Sequence, residues 1–233
     1  MKYEPINGGF KKLKEDLAAM TFKDKLNHLW TYYKGTLVIL AILIAIGSIV
    51  VTSCKARNTE TLLAGIAINA QLSEQGQAYV GDEYYQKLAT GGLQQVIYSE
   101  TIHEDFTKTA ALEESYTMLM SLIALSASEQ LDYLLLDEIA LKNLLPHSIY
   151  LDLREFFTED ELEAMGDNVI WGEIGTEDER ILMPFAIKIT DMPFIEENAT
   201  HWGDTYFSVV VNSPRKDTVR DFWNYLHAWA PAA

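Results

Sequence analysis

From Gly35 to Cys54 the chain passes through twenty consecutive uncharged residues, and "TLVILAILIAIGSIVV" within that run is almost wholly apolar. No other feature narrows the fold so far. A helix needs roughly twenty apolar residues, at about 1.5 Å each, to cross a ~30 Å hydrocarbon core. A helix packed on a water-facing domain carries a polar face, and this segment has none. The run predicts a single transmembrane helix over 35–54. Trp30, Tyr32, Tyr33 and Lys34 stand just ahead of it, the amphipathic and basic side chains that anchor a helix at the membrane interface.

Upstream, "TFKDKLNHLWTYYKG" places Phe22, Leu26, Leu29, Trp30 and Tyr33 on one helical face, with Thr21 as cap and Asp24 three residues later. It reads either as a short interfacial helix or as a continuation of the spanning helix. Seven lysines stand against four acidic residues before Gly35, a balance of +3. After Arg57, nine basic residues face thirty acidic ones, a balance of −21. The positive-inside rule then puts the N-terminus in the cytoplasm and the large C-terminal part outside the cell membrane.

Cys54 is the single cysteine, so no intrachain disulfide can form. "VTSC" resembles the bacterial lipobox, after which a chain is cut and lipidated on the cysteine. A secretory signal, though, has a short leader and an apolar core of about 7–15 residues. Here thirty-four residues precede a longer core. An uncleaved anchor and a lipidated Cys54 both remain open.

Four segments follow: a cytoplasmic juxtamembrane stretch 1–34, the span 35–54, a polar tether 55–61 and an extracytoplasmic α/β domain 62–233. In the last, "LLAGIAINA" (62–70), "LQQVIYSE" (93–100) and the start of "LDYLLLDEIA" (131–140) read as buried strands. Helix-forming stretches over 73–90 and 110–128 alternate with them. Such β–α–β repetition predicts a parallel sheet with right-handed crossovers. Thr158 and Glu161 form a capping box for 158–166. "NVIWGEI" (168–174), "RILMPFAIKI" (180–189) and "TYFSVVVNS" (205–213) are later strands. Ser213 as N-cap and Pro214 at the first helical position open a closing helix. Val219, Phe222, Trp223 and Leu226 form its buried stripe.

Two of these segments resemble bacterial extracytoplasmic solute-binding proteins of the type II periplasmic fold. In "LDYLLLDEIALKNLLPHSIYLDLREFF" (131–157) a buried strand ends in the acidic pair Asp137 and Glu138, and the chain returns as "YLDL" (150–153). In "TYFSVVVNSPRKDTVRDFWNYLHAW" (205–229) a late strand and turn lead to Phe222, Tyr225 and Leu226 in an "FxxYL" pattern. The anchor region "FKDKLNHLWTYYKG" is similar to uncharacterised single-span membrane proteins of Gram-positive bacteria that carry such a domain. The stretch 153–180 is too short for a second lobe, so the resemblance implies one lobe: a mixed, mainly parallel sheet flanked by helices behind the transmembrane helix.

Catalytic and metal motifs are missing from the sequence. His28, His103, His147, His201 and His227 make no pair at metal-ligand spacing. "HEDF" (103–106) and "HWGD" (201–204) lack a further ligand or nucleophile. The acids Glu155, Glu159, Asp160, Glu161, Glu163 and Asp167 lack the oxygen-ligand alternation and central glycine of a calcium loop. Neither a phosphate-binding glycine loop nor a "GxSxG" elbow is present, and no cofactor is expected. "NAT" (198–200) fits a glycosylation sequon, meaningful only in a glycosylating host. A −21 domain repels phosphate backbones, which sets nucleic acid aside.

The expectation is therefore a bilayer-anchored binding or interaction domain. Its partner is a small molecule held near Asn69, Ser99 and Asp137, after strand ends, or else another membrane or envelope protein docked on an apolar patch. An enzyme ranks below both.

Overall fold

The computed structural model describes residues 30, 35, 38–49, 59–101, 111–176, 179–201 and 203–230. The chain divides between Asn58 and Thr59 into two units. In the first, residues 38–49 are helical and every large apolar side chain among them is more than half exposed. Those twelve residues measure about 18 Å. Among the described residues no helix is long and apolar enough to cross a membrane. Trp30 is helical and 64% exposed. Tyr32, Tyr33, Lys34 and Cys54, with the rest of the expected 35–54 span, lie outside the described residues.

The second unit is α/β. Its chain runs β1 (Glu60–Ile68), β2 (Ala70–Leu72), α1 (Glu74–Ala78), a π-helical turn (Tyr79–Glu83), α2 (Tyr84–Leu88), β3 (Gln94–Thr101), α3 (Ala111–Ala127) and β4 (Tyr133–Asp137). It continues through α4 (Glu138–Leu144), α5 (Glu159–Met165), β5 (Val169–Thr176), β6 (Glu179–Lys188), α6 (Pro193–Asn198), β7 (Ala199–His201), β8 (Thr205–Val209) and α7 (Lys216–His227). Six strands form one sheet in the order β3-β1-β4-β8-β6-β5, and β2 pairs with β7 in a separate ribbon. β1 pairs in parallel with β3 and β4, whereas the β4–β8, β8–β6 and β6–β5 pairings are antiparallel. Four strands thus point one way and two the other. The mixed sheet was expected. The β5–β6 pair is antiparallel because its two-residue link cannot carry the crossover a parallel pair requires.

Local chemistry explains where elements begin and end. The expected 62–70 strand stops at Ile68 because Asn69 adopts a left-handed φ of 56°, turning the chain into β2. The 73–90 helix forms, but with a π turn at its centre. Thr158 and Glu161 make the capping box as read: the Thr158 amide donates to Glu161 at 2.8 Å, and the Glu161 amide to Thr158 Oγ1 at 3.3 Å. α7 buries Val219, Phe222, Trp223 and Leu226, each worth about 1.5–3 kcal/mol when removed from water. Its cap differs from the expectation. Arg215 occupies the N-cap position without a side-chain bond to the helix amides, while the Ser213 hydroxyl donates to Asp132 Oδ1 at 2.7 Å. The same hydroxyl oxygen accepts from the Arg215 amide at 3.2 Å, one residue short of the first helical turn.

That carboxylate ties three chain segments together. Asp132 is fully buried at the amino end of β4, and its Oδ2 accepts from the Ala64 amide at 2.7 Å and from Arg215 Nε at 2.8 Å. Two apolar cores lie on the two faces of the sheet. One packs α7, Tyr84 and Phe194 against Leu63, Tyr133, Leu135 and Phe207. The other packs α3 and α4 against Ile68, Leu134, Leu136 and Phe185. Gly65 is required by this packing, since a Cβ there would stand 2.0 Å from the Tyr133 ring.

Candidate functional site

β1 connects to β3 on one side and β3 to β4 on the other, so the strand order reverses between β1 and β4. Open α/β sheets bind ligands in the crevice beyond the strand carboxyl ends at such a reversal. Two of the three residues expected there do meet. Asn69 Nδ2 donates to Asp137 Oδ2 at 2.9 Å, and Asp137 Oδ1 accepts from the Ala140 amide at 2.7 Å, capping α4. Both carboxylate oxygens are thus engaged, and the pair clamps the ends of β1 and β4. Ser99 does not join them. It sits inside β3 opposite Ile66, two residues before the strand ends, and is exposed.

Further along the same end of the sheet, Lys188 closes β6 and pairs with Asp204 at 2.8 Å. The hydrogen bond to Asp204 raises the Lys188 ammonium above its ordinary range. Thr190 Oγ1 also donates to Asp204, at 3.2 Å. Beside this pair opens a cavity of about 260 Å³. Its walls are Met165 of α5, Ile187 and Ile189 at the end of β6, Met192 and Pro193 entering α6, and Trp223 of α7. Asn168, Lys188, Asp191 and His227 supply the polar groups. The His227 ring lies 4.3 Å from that of Trp223, and its Nδ1 is 3.1 Å from the Trp223 carbonyl oxygen. A carbonyl only accepts, so Nδ1 is the donor in this contact. An apolar hollow with a few polar groups at its rim is the usual form of a small-molecule site.

A second hollow, about 350 Å³, lies between the π turn and β3, lined by Gln77, Gly81, Val96, Tyr98 and the carboxylates of Glu74 and Asp82. Its inner neighbour Glu100 is already occupied by the Leu72 amide at 2.6 Å, Gln77 Nε2 and the Tyr98 hydroxyl. Burial, reinforced by Glu100, pushes the Tyr98 phenol well above its ordinary range. Among the described residues no three His, Cys, Asp or Glu side chains are grouped to hold a metal ion.

No protein-family model matches the chain, and neither a curated protein nor a solved structure matches it. What the site does must come from its own geometry.

Of the cavity residues, the sequence singled out Trp223 alone with a role, as core. The cavity gathers side chains from α5, β6, the entry to α6 and α7, with more than sixty positions between Met165 and His227. No local pattern records that convergence. The spacing of Trp223 and His227, four apart on one helix, was the one readable signal. His103 and Trp202 of the "HEDF" and "HWGD" phrases lie outside the described residues.

Proposed function

We propose that the chain is a single-pass, membrane-anchored binding protein whose α/β unit stands outside the cell and takes its ligand in the cavity at the carboxyl end of β6. The cavity carries this reading: apolar walls sized for one aromatic or branched side chain, rimmed by Asn168, Asp191 and His227. The anchor rests on the uncharged 35–54 run, the exposed apolar helix within it and the change from +3 to −21 across it. The likeness of 131–157 and 205–229 to solute-binding proteins of the type II periplasmic fold supports a binding role over a catalytic one.

Thermal unfolding of the detergent-extracted full chain tests the site. N-acetylated amino-acid amides, sugars and nucleosides serve as probes, since a ligand of the folded state raises stability by RT ln(1 + [L]/Kd). A saturable rise with an apolar amide, abolished by the cavity-filling Met165→Trp, is the expected result. A flat response to every probe refutes it. Intact mass of the extracted protein separates the two fates of Cys54, the whole chain or a lipid-bearing chain lacking residues 1–53.

A second reading, docking of another membrane or envelope protein, is favoured by one observation. Trp171 and Leu182 share a face of the β5–β6 hairpin and are 50% and 60% exposed.

A further inference from the structure

The sheet ends at β5. Its inner edge pairs with β6, and among the described residues no strand pairs with its outer edge. Exposed edges are usually blunted by lysine, proline or inward charge. β5, "VIWGEIGT", carries none of these; its one charge is Glu173, which faces Arg180 at 3.7 Å. The one register irregularity of the hairpin places its extra residue, Phe185, on β6, so the edge strand itself is not bulged, and Trp171 stands half exposed on it.

This edge begins at the cavity. Asn168 immediately precedes β5 and lines the cavity wall, and Val169, the first strand residue, pairs with Ile187 on the cavity floor. The surroundings are acidic. Glu159, Asp160 and Glu163 of α5, with Asp167 and Asp191, are exposed. The nearby cations Lys188, Arg180 and Arg220 are each paired with a carboxylate.

We infer that β5 accepts an extended peptide segment of a partner protein as a seventh strand, with one long apolar side chain of that segment in the cavity and lysine or arginine side chains beside it. The inference rests on the cavity being the binding site and names its occupant. Main-chain hydrogen bonds along an edge supply affinity and pockets for side chains supply selectivity. Ile187 lies about 10 Å, two strand spacings, from an added strand, so the anchoring side chain must be aromatic or methionine. The acidic border selects the flanking cations and rejects acidic segments.

Selection of random decapeptides on the detergent-solubilised full chain tests this. Enriched peptides are expected to share one aromatic or methionine residue flanked by Lys or Arg. Fluorescence anisotropy should show about a tenfold loss of affinity on N-methylation at alternate backbone positions, equivalent to about two hydrogen bonds. Met165→Trp and the surface variant Trp171→Lys should each cost a similar factor, and affinity should fall as salt rises from about 50 to about 500 mM. Peptides indifferent to N-methylation overturn strand addition. So does an empty selection with N-acetyl-phenylalaninamide still bound, and that outcome leaves the cavity reading standing. Loss of both overturns both.

Discussion

Replacing Asp132 by alanine is the sharpest test of what holds the α/β unit together. The carboxylate is fully buried and accepts from the Ala64 amide, the Ser213 hydroxyl and Arg215 Nε, all at 2.7–2.8 Å. Hydrogen bonds to an ionised partner contribute about 1.5–3 kcal/mol each, so the gross loss is roughly 5–9 kcal/mol. The carboxylate's own desolvation is relieved at the same time, and breaking one side of such a pair nets about 3–5 kcal/mol. For a unit of this size a loss of about 4 kcal/mol lowers Tm by roughly 8–16 °C. Urea unfolding of the extracted full chain, followed by tryptophan fluorescence, should show the midpoint falling with the slope unchanged. Asp132→Leu combined with Arg215→Met should recover about half of the loss or more, because no unpaired charge then remains. A fall below about 1 kcal/mol for Asp132→Ala refutes the reasoning, as does a double variant no better than the sum of its parts.

Tyr133→Phe should be neutral or stabilise by about 1 kcal/mol in the same assay, because the Tyr133 hydroxyl is buried without a hydrogen-bond partner among the described residues. Thr158→Ala should cost about 1 kcal/mol by opening the capping box. The Thr158 amide, with Arg220, holds the Glu161 carboxyl below its usual range. The contribution of Glu161 is therefore present above the ordinary glutamate pKa of about 4.3 and is lost as pH falls through the acid range. Burial holds the phenols of Tyr84, Tyr98, Tyr133, Tyr150 and Tyr225 neutral far above the ordinary tyrosine range. In the unfolded chain they ionise near pH 10, so stability should be full below about pH 10 and fall above it. The absorbance rise of phenolate near 295 nm should coincide with unfolding rather than precede it.

What the sequence disclosed is what neighbours within a few residues decide. The Thr158–Glu161 box and the stripe of α7 are spacings of three and four, and both appear as read. Ser213 was misplaced because its hydroxyl answers to Asp132, eighty-one positions away, and no cap rule sees that partner. Asn69 was read as lying inside the 62–70 strand; its left-handed φ accompanies the Asp137 clamp that receives its side chain. The parallel core of β1, β3 and β4 was legible because crossover helices leave a recognisable period. The antiparallel pairing of β8 beside β4 was not, since nothing in a strand's composition states its neighbour's direction. The cavity was least legible of all, being a gap among four elements rather than a pattern in any one.

The sheet order also sets a timetable for synthesis. β1 lies between β3 and β4, so the first three strands of the sheet can pair once residue 137 has emerged. The other side of β4 waits for β8, which begins sixty-eight residues after β4 ends. At about 5–20 residues per second that wait is several seconds. Through it, the edge of β4 and the carboxylate of Asp132 are without Val209 and Arg215. A nascent chain stalled between residues 140 and 205 therefore presents a bare strand edge and an unmatched buried acid, the form most open to chaperones and to wrong partners.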